Sequence, residues 1–481
     1  MTNKNRDIYL LIALLLISFF SVYYLPSLIN RIVFLLLLIS AIRSRYDYVY
    51  LVWFFIINDA PGRLFSGGTF DAVRIPLYPI LPGVSISFQE LFILFYLLKL
   101  LSLKRPVRFI FKKEFTWFYL FGVFVVLYSI PLGVDFDNVI RTFRLLFPWA
   151  LVLILPAYFY HRKIVVRSSL LLFPMVFLAL ASQVYSYITG DYLDHTLRGI
   201  SFGYLGLDQV SLSRSYSAMY ILLFCIIQAL YFFFSKKKEI NRNYLGLVAL
   251  TGSLSVYLSA TRGWIIALSV MLIGIFFVTG ASGAIKNWLR LGVIVAVLLA
   301  LGIFQNPQIE KQMDATYQRL ESLADLTRGD LTAGGTLRRL TERSPRVMKK
   351  FWESPVIGFG FSDEYYKYQD GHVGNQNLLL NVGILGYLLL VGIFIQLGIK
   401  IKRLGKKSTA KKPNNKIHFI YILGLITVFI IHTSSTQFWG YALSLEQTLF
   451  FGFFLAVINS ILLDNRRMAK RSPAVKTAGL G

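Results

Sequence analysis

The chain has 481 residues, of which 56% are hydrophobic and 16% aromatic; its mean hydropathy is +0.60 and its formal net charge is +26. This composition excludes a single soluble core and favours a polytopic membrane protein. The basic residues stand in short clusters between apolar runs, where they act as topology signals for the cytoplasmic side, so we expect no nucleic-acid partner. The only cysteine, Cys225, lies within an apolar run and leaves no internal disulfide.

Apolar runs recur along the chain and predict an all-α polytopic protein with about 12–14 transmembrane helices. The first run follows Lys4 and Arg6 but has no small-x-small cleavage site, so we expect it to be retained as a helix. The second and third runs are about a dozen residues each and favour a re-entrant or steeply packed pair. The predicted spans lie near residues 8–25, 31–42, 47–58, 86–103, 115–133, 147–160, 168–188, 215–235, 244–260, 264–280, 291–304, 377–399, 417–434 and 446–463.

The basic clusters set the predicted orientation, in which both termini are cytoplasmic. Four parts follow from it: an N-terminal transmembrane bundle (1–304), a large external loop (305–376), C-terminal transmembrane helices (377–463) and a basic cytoplasmic tail (464–481). The clusters assigned to the cytoplasm lie at residues 43–45, 104–113, 162–167, 236–242, 286–290, 400–416 and after 466.

The external loop is one polar block of about seventy residues against a bilayer, which indicates the working end of the protein. Helical patterns run from Gln308 to Asp325 and from Leu337 to Trp352, with a turn at Gly334-Gly335 between them. We therefore expect a small helical subdomain.

Arginines are unusually frequent on the predicted external side, where the positive-inside rule should deplete them. A cluster of guanidinium groups at the membrane surface suits a lipid-linked diphosphate, which arginine binds bidentately. The alternative is a solvated loop face that contacts anionic lipids, and we expect Arg346 to lie on such a face. The external arginines are Arg141, Arg144, Arg198, Arg214, Arg262, Arg338, Arg339, Arg343 and Arg346.

Two of these arginine settings are distinctive. Arg262 lies in Ser259-Ala-Thr-Arg-Gly-Trp264, between two apolar runs with almost no loop, where a charge is costly unless it faces a cavity or a ligand. Arg141 and Arg144 lie in residues 134–146, whose apolar residues have the spacing of an interfacial helix. Snorkelling of these two arginines is the alternative to a role in binding.

His372 is the only histidine of the large loop and is a candidate general base near neutral pH, although a lone histidine is often structural. No His-Glu-x-x-His or Asp-x-Asp motif is present, and the group Asp191, Asp194 and His195 is the nearest approach to a metal site. We expect no metal and no other cofactor.

Residues 334–387 resemble the signature region of the O-antigen ligase and polymerase superfamily. The residues that carry the resemblance are Gly-Gly-Thr-Leu-Arg-Arg-Leu, then Phe-Trp-Glu-Ser-Pro-Val-Ile-Gly-Phe-Gly, then His372 with Gly383-Ile-Leu-Gly386 eleven residues later. Ser259-Ala-Thr-Arg262-Gly also resembles a family segment. Position 373 is Val where the family prefers a polar residue, so that role would fall to Asn375 or Gln376.

The resemblance implies a bacterial inner-membrane transferase that takes a glycan from undecaprenyl diphosphate without a metal and with inversion. In that scheme Arg262, Arg214 and the Arg338/Arg339 pair hold the diphosphate. His372 takes the proton of the acceptor hydroxyl. Arg141, Arg144, Asn375 and Gln376 are secondary candidates for the site.

The acceptor class stays open: a ligase transfers to lipid A core, a polymerase to a growing polysaccharide, and an oligosaccharyltransferase to protein. A lipid-linked glycan flippase or other transporter is the alternative of another class. A transporter would have paired broken helices and charges along a path through the membrane, whereas the polar residues of this chain form one external block.

Overall fold

The computed structural model describes residues 3–65, 74–76, 85–102, 109–199, 218–235, 239–279, 307–321, 339–407, 418–434, 440–441 and 443–471. Nearly all of this part is helical, which confirms the predicted all-α membrane class. The α-helices are α1 (Asn3–Tyr24), α2 (Ser27–Arg43), α3 (Asp47–Asn58), α4 (Phe88–Ser102), α5 (Lys112–Ser129), α6 (Phe136–Leu146), α7 (Leu151–Tyr158), α8 (Arg162–Leu172), α9 (Pro174–Thr189), α10 (Leu193–Leu197), α11 (Met219–Phe234), α12 (Arg242–Leu258), α13 (Arg262–Thr279), α14 (Pro307–Glu321), α15 (Ser344–Phe351), α16 (Asp363–Tyr368), α17 (Gly374–Lys407), α18 (Phe419–Ser434) and α19 (Leu445–Arg471).

Shorter elements connect these helices in the described ranges. A two-stranded antiparallel sheet pairs β1 (Arg74–Pro76) with β2 (Ser85–Ser87), in a segment where we expected no strand. Strands of three residues are too short to give a recognisable alternation of polar and apolar residues. Further turns are the 3-10 helices Pro61–Arg63, Ile130–Leu132 and Phe147–Ala150 and the π-helical turn Arg339–Arg343.

Six helical segments of the described part are long and apolar enough to cross a membrane, and they identify a membrane-embedded helical protein. The predicted span at 291–304 lies outside the described residues, so the total of about 12–14 spans stays a prediction. The six segments are Asn5–Tyr24, Lys112–Leu132, Phe136–Tyr158, Arg162–Thr189, Gly374–Arg403 and Leu445–Asp464; shorter apolar helices are Asp47–Asn58, Met219–Phe234, Arg262–Val278 and Phe419–Thr433.

Aromatic side chains join the central helices. The ring of Phe453 on α19 lies 5.0 Å from that of Phe55 on α3 and 5.8 Å from that of Phe224 on α11, measured between centroids. Large apolar side chains also point outward, among them Leu36 on α2, Leu120 on α5 and Phe277 on α13. Apolar groups on both the inside and the outside are expected when lipid is the surrounding solvent.

The second and third predicted spans differ from each other in the structure. Helix α2 has 17 residues, more than the dozen we expected, whereas α3 has 12. A helix of that length extends about 18 Å and cannot cross about 30 Å of hydrocarbon alone. Helix α3 is buried along most of its length by neighbouring helices, as expected of a packed short segment.

Within the described residues, Lys99, Arg162 and Lys400 lie at one end of the bundle, which we call the basic end; the predicted cluster at 286–290 lies outside the described residues. At this end the Arg162 guanidinium donates to the side chain of Glu239, and the Arg162 backbone N–H donates to the Asp464 carboxylate. The opposite end carries α14, α15 and α16 and is called the loop end. The side of a membrane that each end faces stays a prediction from the basic clusters.

Candidate functional site

His372 lies on the short connection between α16 and α17, and its position is fixed through Asp370. The backbone N–H of His372 donates to the Asp370 carboxylate at 3.0 Å, and the N–H of Val373 donates to the Asp370 carbonyl at 3.1 Å. His372 is exposed, whereas the next residue, Val373, is buried. The connection therefore presents a histidine to the outside from a backbone held by hydrogen bonds.

Two loop arginines meet the same carboxylate. Arg346 Nη2 lies 3.0 Å and Arg343 Nη1 3.5 Å from the Asp370 oxygens. Arg346 is 58% exposed, as expected of a solvated face, but its ion pair with Asp370 was not expected. Asp370 thus draws two guanidinium groups to the segment that carries His372.

Two buried asparagines of α17 hold the loop against the helix. Asn377 bonds Asp370 twice: its Oδ1 accepts the Asp370 N–H at 2.8 Å and its amide donates to the Asp370 carbonyl. One turn later, the Asn381 amide donates to the Gly360 carbonyl. Sequence reasoning missed Asp370 and Asn377, although a polar amide in the first turn of an apolar span was a usable signal.

Helix α17 is broken at Gly383, where φ is +66° and ψ is −174°. The Ser-Pro-Val-Ile-Gly-Phe-Gly segment fills the break: Ile384 donates to the Pro355 carbonyl at 2.9 Å, and Gly360 donates to the Asn381 carbonyl at 2.7 Å. A Cβ at Gly383 would overlap the carbonyl of Val356. Two of the motifs that carry the family resemblance therefore form one structural unit, in which loop groups replace the missing helical hydrogen bonds.

Arg262 is the first residue of α13, which follows α12 after only three residues, so the predicted close meeting of two helices is confirmed. Ala260 in this turn has φ of +51°, a conformation rarely adopted by residues with a side chain. The side-chain amide of Gln312 on α14 donates to the Leu258 carbonyl at 2.9 Å. A helix of the polar loop thus covers the turn beside Arg262.

Packing of α13 against α18 places Arg262 and His372 at the same end of the bundle. The Thr427 hydroxyl lies 3.5 Å from the Ala267 carbonyl, and Leu423 contacts Gly274, so the two helices are antiparallel. Five residues before Ala267 is Arg262, and five residues after Thr427 is His432, which places these two at the same level. The His432 backbone is so close to Gly374 that any Cβ there would overlap it. The last turn of α18 therefore separates the beginnings of α13 and α17.

Arg141 and Arg144 have other partners within the described residues. The Arg141 guanidinium lies over the Tyr366 ring, 4.5 Å from its centroid, and Arg144 Nε lies 3.1 Å from Glu90 Oε1. Helix α6 also exposes apolar side chains and belongs to the segment Phe136–Tyr158, which is long and apolar enough to cross a membrane, so its interfacial position stays a prediction. Both arginines therefore fasten α6 to its neighbours, a role that their spacing in the sequence did not reveal.

Asp363 caps α6 from a distant part of the chain. Its carboxylate accepts from the Asp135 N–H at 2.9 Å and from the Asn138 amide at 2.7 Å. These bonds favour the charged form, and the Asn138 bond contributes most to lowering the pKa of Asp363 below its ordinary value. The segment that leads to His372 is thereby anchored on α6.

Asp191, Asp194 and His195, the nearest approach to a metal site in the sequence, make two separate sets of contacts. Asp191 bonds His195 Nδ1 at 2.5 Å, whereas Asp194 accepts from Tyr23 at 2.6 Å and from Arg198 at 2.9 Å. Among the described residues, no group of three or more His, Cys, Asp or Glu side chains has a metal-holding arrangement.

The remaining candidates are placed as follows. Arg214 and Arg338 lie outside the described residues, and for Arg339 only the backbone is described, in the same π-helical turn as Arg343. Asn375 and Gln376 lie half-buried in the first turn of α17.

Comparison with known proteins gives no family. No family model matches the chain. No curated protein matches it either.

Proposed function

We propose that the chain is a metal-independent glycan transferase of the O-antigen ligase and polymerase class. It would take a glycan from undecaprenyl diphosphate and attach it to an acceptor hydroxyl at the external face of a bacterial inner membrane. The observation that carries the proposal is the Asp370 cluster, in which His372 and two arginines share one carboxylate at the end of the bundle where Arg262 lies.

The reaction needs one displacement at the anomeric carbon of the donor sugar. The acceptor oxygen forms the new bond as its proton passes to the imidazole of His372. The bond to the diphosphate oxygen breaks, and the polyprenyl diphosphate leaves with the electron pair. A single displacement inverts the anomeric centre.

The leaving diphosphate gains charge in the transition state, so preorganised cations accelerate its departure. Arg262 at the start of α13 would supply a planar fork for two phosphate oxygens. The beginnings of α13 and α17 add partial positive charge of about half a unit each from their helix dipoles. Arg338, Arg339 and Arg214 are proposed to complete this cationic surface.

The broken helix α17 is the feature that a transporter would share. In transporters such breaks leave backbone groups for the ligand. The Gly383 break instead has its neighbouring groups bonded to Pro355 and Val356 of the loop, so it favours a support for the loop over a binding path.

Purified full-length protein incubated with synthetic polyprenyl-diphosphate glycan tests the proposal. We expect polyprenyl diphosphate release that requires an acceptor, with lipid A core, oligosaccharide and peptide hydroxyls offered in separate arms. Movement of the intact donor between leaflets of proteoliposomes, without release of diphosphate, would replace the transferase by a flippase.

The external position of the loop has its own test in a Cys225→Ala background. Lys349→Cys on α15 and Lys163→Cys on α8 place exposed thiols at the loop end and the basic end. An impermeant thiol reagent applied to spheroplasts should label the first and not the second. Labelling of the second alone would invert the proposed topology.

A further inference from the structure

A second concentration of arginines surrounds a cavity at the basic end, remote from His372. The cavity has a volume of about 650 Å³ and opens between α1 and the connection from α2 to α3. Cavities of roughly 300–1,000 Å³ are typical of small-ligand sites. Its polar lining includes Arg6, Arg43, Arg45, Ser40, Tyr46 and Tyr50.

The carboxylates nearest in sequence are engaged elsewhere. Asp7 pairs with Arg167 at 3.4 Å, and Asp47 pairs with Lys99 at 2.5 Å. In the part of the chain that the structure describes, no acidic side chain forms an ion pair with Arg6, Arg43 or Arg45. The cavity therefore concentrates positive charge, in contrast to the paired cations around it.

The cavity wall is ordered by local contacts. The Arg6 guanidinium lies over the ring of Tyr46, 5.1 Å from its centroid. A guanidinium held over a ring by a cation–π contact still has N–H donors that can bind phosphate oxygens. The hydroxyls of Ser40 and Tyr50 are bonded to each other at 2.5 Å and add polar groups to the same wall.

Apolar side chains border this end of α1 and α2. Ile8 and Ile12 on α1 and Ile39 on α2 are exposed on the outer surface, where lipid chains would lie. A basic pocket beside lipid-facing helices suits a phospholipid headgroup. We propose that this cavity binds the phosphate of an anionic phospholipid, with Arg6, Arg43 and Arg45 as its ligands.

Native mass spectrometry of the full chain, titrated with phosphatidylglycerol or phosphatidylcholine, measures this binding. The test variant is Arg6→Gln/Arg43→Gln/Arg45→Gln. A matched control, Lys112→Gln/Lys113→Gln/Lys163→Gln, removes the same charge from exposed positions that do not line the cavity. Since a charge-assisted hydrogen bond contributes about tenfold or more to affinity, the test variant should lose at least that preference for phosphatidylglycerol.

The proposal fails if the test variant binds phosphatidylglycerol like the wild type, or if the control loses as much. Thermal melting without added lipid checks that the test variant is folded; if it is not, Arg45→Gln alone should show a partial loss. A third experiment adds inorganic phosphate to the protein bound to phosphatidylglycerol. Displacement of the lipid by millimolar phosphate would overturn the proposal of a lipid ligand and assign the cavity to a soluble phosphate compound.

Discussion

Three cations of the basic end and the two arginines at Asp370 of the loop end are paired with carboxylates in different ways. At the basic end cations have individual carboxylate partners on neighbouring helices: Lys99 with Asp47 at 2.5 Å, Arg162 with Glu239 at 2.8 Å and Lys400 with Glu114 at 2.6 Å. At the loop end one carboxylate, Asp370, serves both Arg343 and Arg346.

The two kinds of pairing leave different net charges around them. One-to-one pairs neutralise the cations and join helices to one another. Two arginines on one carboxylate leave net positive charge beside His372, and such a surface attracts anionic groups and stabilises them. The arrangement at Asp370 therefore supports the proposed anion site of the loop end, and the arginine cavity is an exception to the pairing seen at the basic end.

A large loss of transfer rate is expected from substitution of Arg262. Replacing it by Ala should lower the transfer rate by a few hundred-fold, which corresponds to about 3–4 kcal/mol for a preorganised donor. Arg262→Lys should recover only part of the rate, because an ammonium group cannot form two parallel bonds to phosphate. Both rates are measured with purified protein and polyprenyl-diphosphate glycan.

The matched control is Lys349→Ala on α15, an exposed cation of the loop end, which should change the rate by less than a few-fold. Full activity of Arg262→Lys would contradict bidentate binding. Full activity of Arg262→Ala would move the diphosphate site to Arg338 and Arg339.

The Gly383 break attaches the loop to α17 at the loop end. Gly383→Ala would combine a left-handed backbone with overlap at Val356, and we expect about 3 kcal/mol of destabilisation. Gly392→Ala in the same helix is the control, since nothing lies within 4 Å of its added Cβ. Thermal melting of the two variants should separate them clearly; equal melting temperatures would mean that the break is not needed.

Asp370→Asn should affect activity more than stability. The two ion pairs are partly exposed, so their loss costs at most about 1 kcal/mol of stability. The substitution releases the two arginines and leaves His372 less constrained. We therefore expect the transfer rate to fall about tenfold. An unchanged rate, at an unchanged melting temperature, would remove Asp370 from the account of the site.

A smaller effect depends on pH. The pKa of Asp363 is lowered in the folded protein by its bonds to Asn138 and Asp135. Its contribution to stability is therefore present above the unfolded pKa of about 4 and is lost as the pH falls through the lower folded pKa. The melting temperatures of the wild type and Asp363→Asn should differ at neutral pH and converge in acid. A constant difference would exclude the carboxylate charge as the cause.

Hydropathy and glycine spacing predicted the helical class, the close turn before Arg262 and the helices of the loop, because each depends on neighbours in the sequence. The partners of Arg141 and Arg144 could not be predicted, since Tyr366 and Glu90 are distant along the chain. Asp370 was missed for the same reason: its role appears only when α15 approaches the start of α17.

Substitution of one histidine at each end tests the proposed general base most directly. His372 lies exposed beside the Asp370 cluster, and His161 lies half-exposed at the basic end, 3.9 Å from Asp464. We expect His372→Ala to lower the rate of glycan transfer by about a hundred- to ten-thousand-fold while donor binding persists, and His161→Ala to transfer at nearly the wild-type rate. Activity of His372→Ala within a few-fold of the wild type, at equal expression, would exclude His372 as the general base and leave His195 as the other histidine of the predicted external loops.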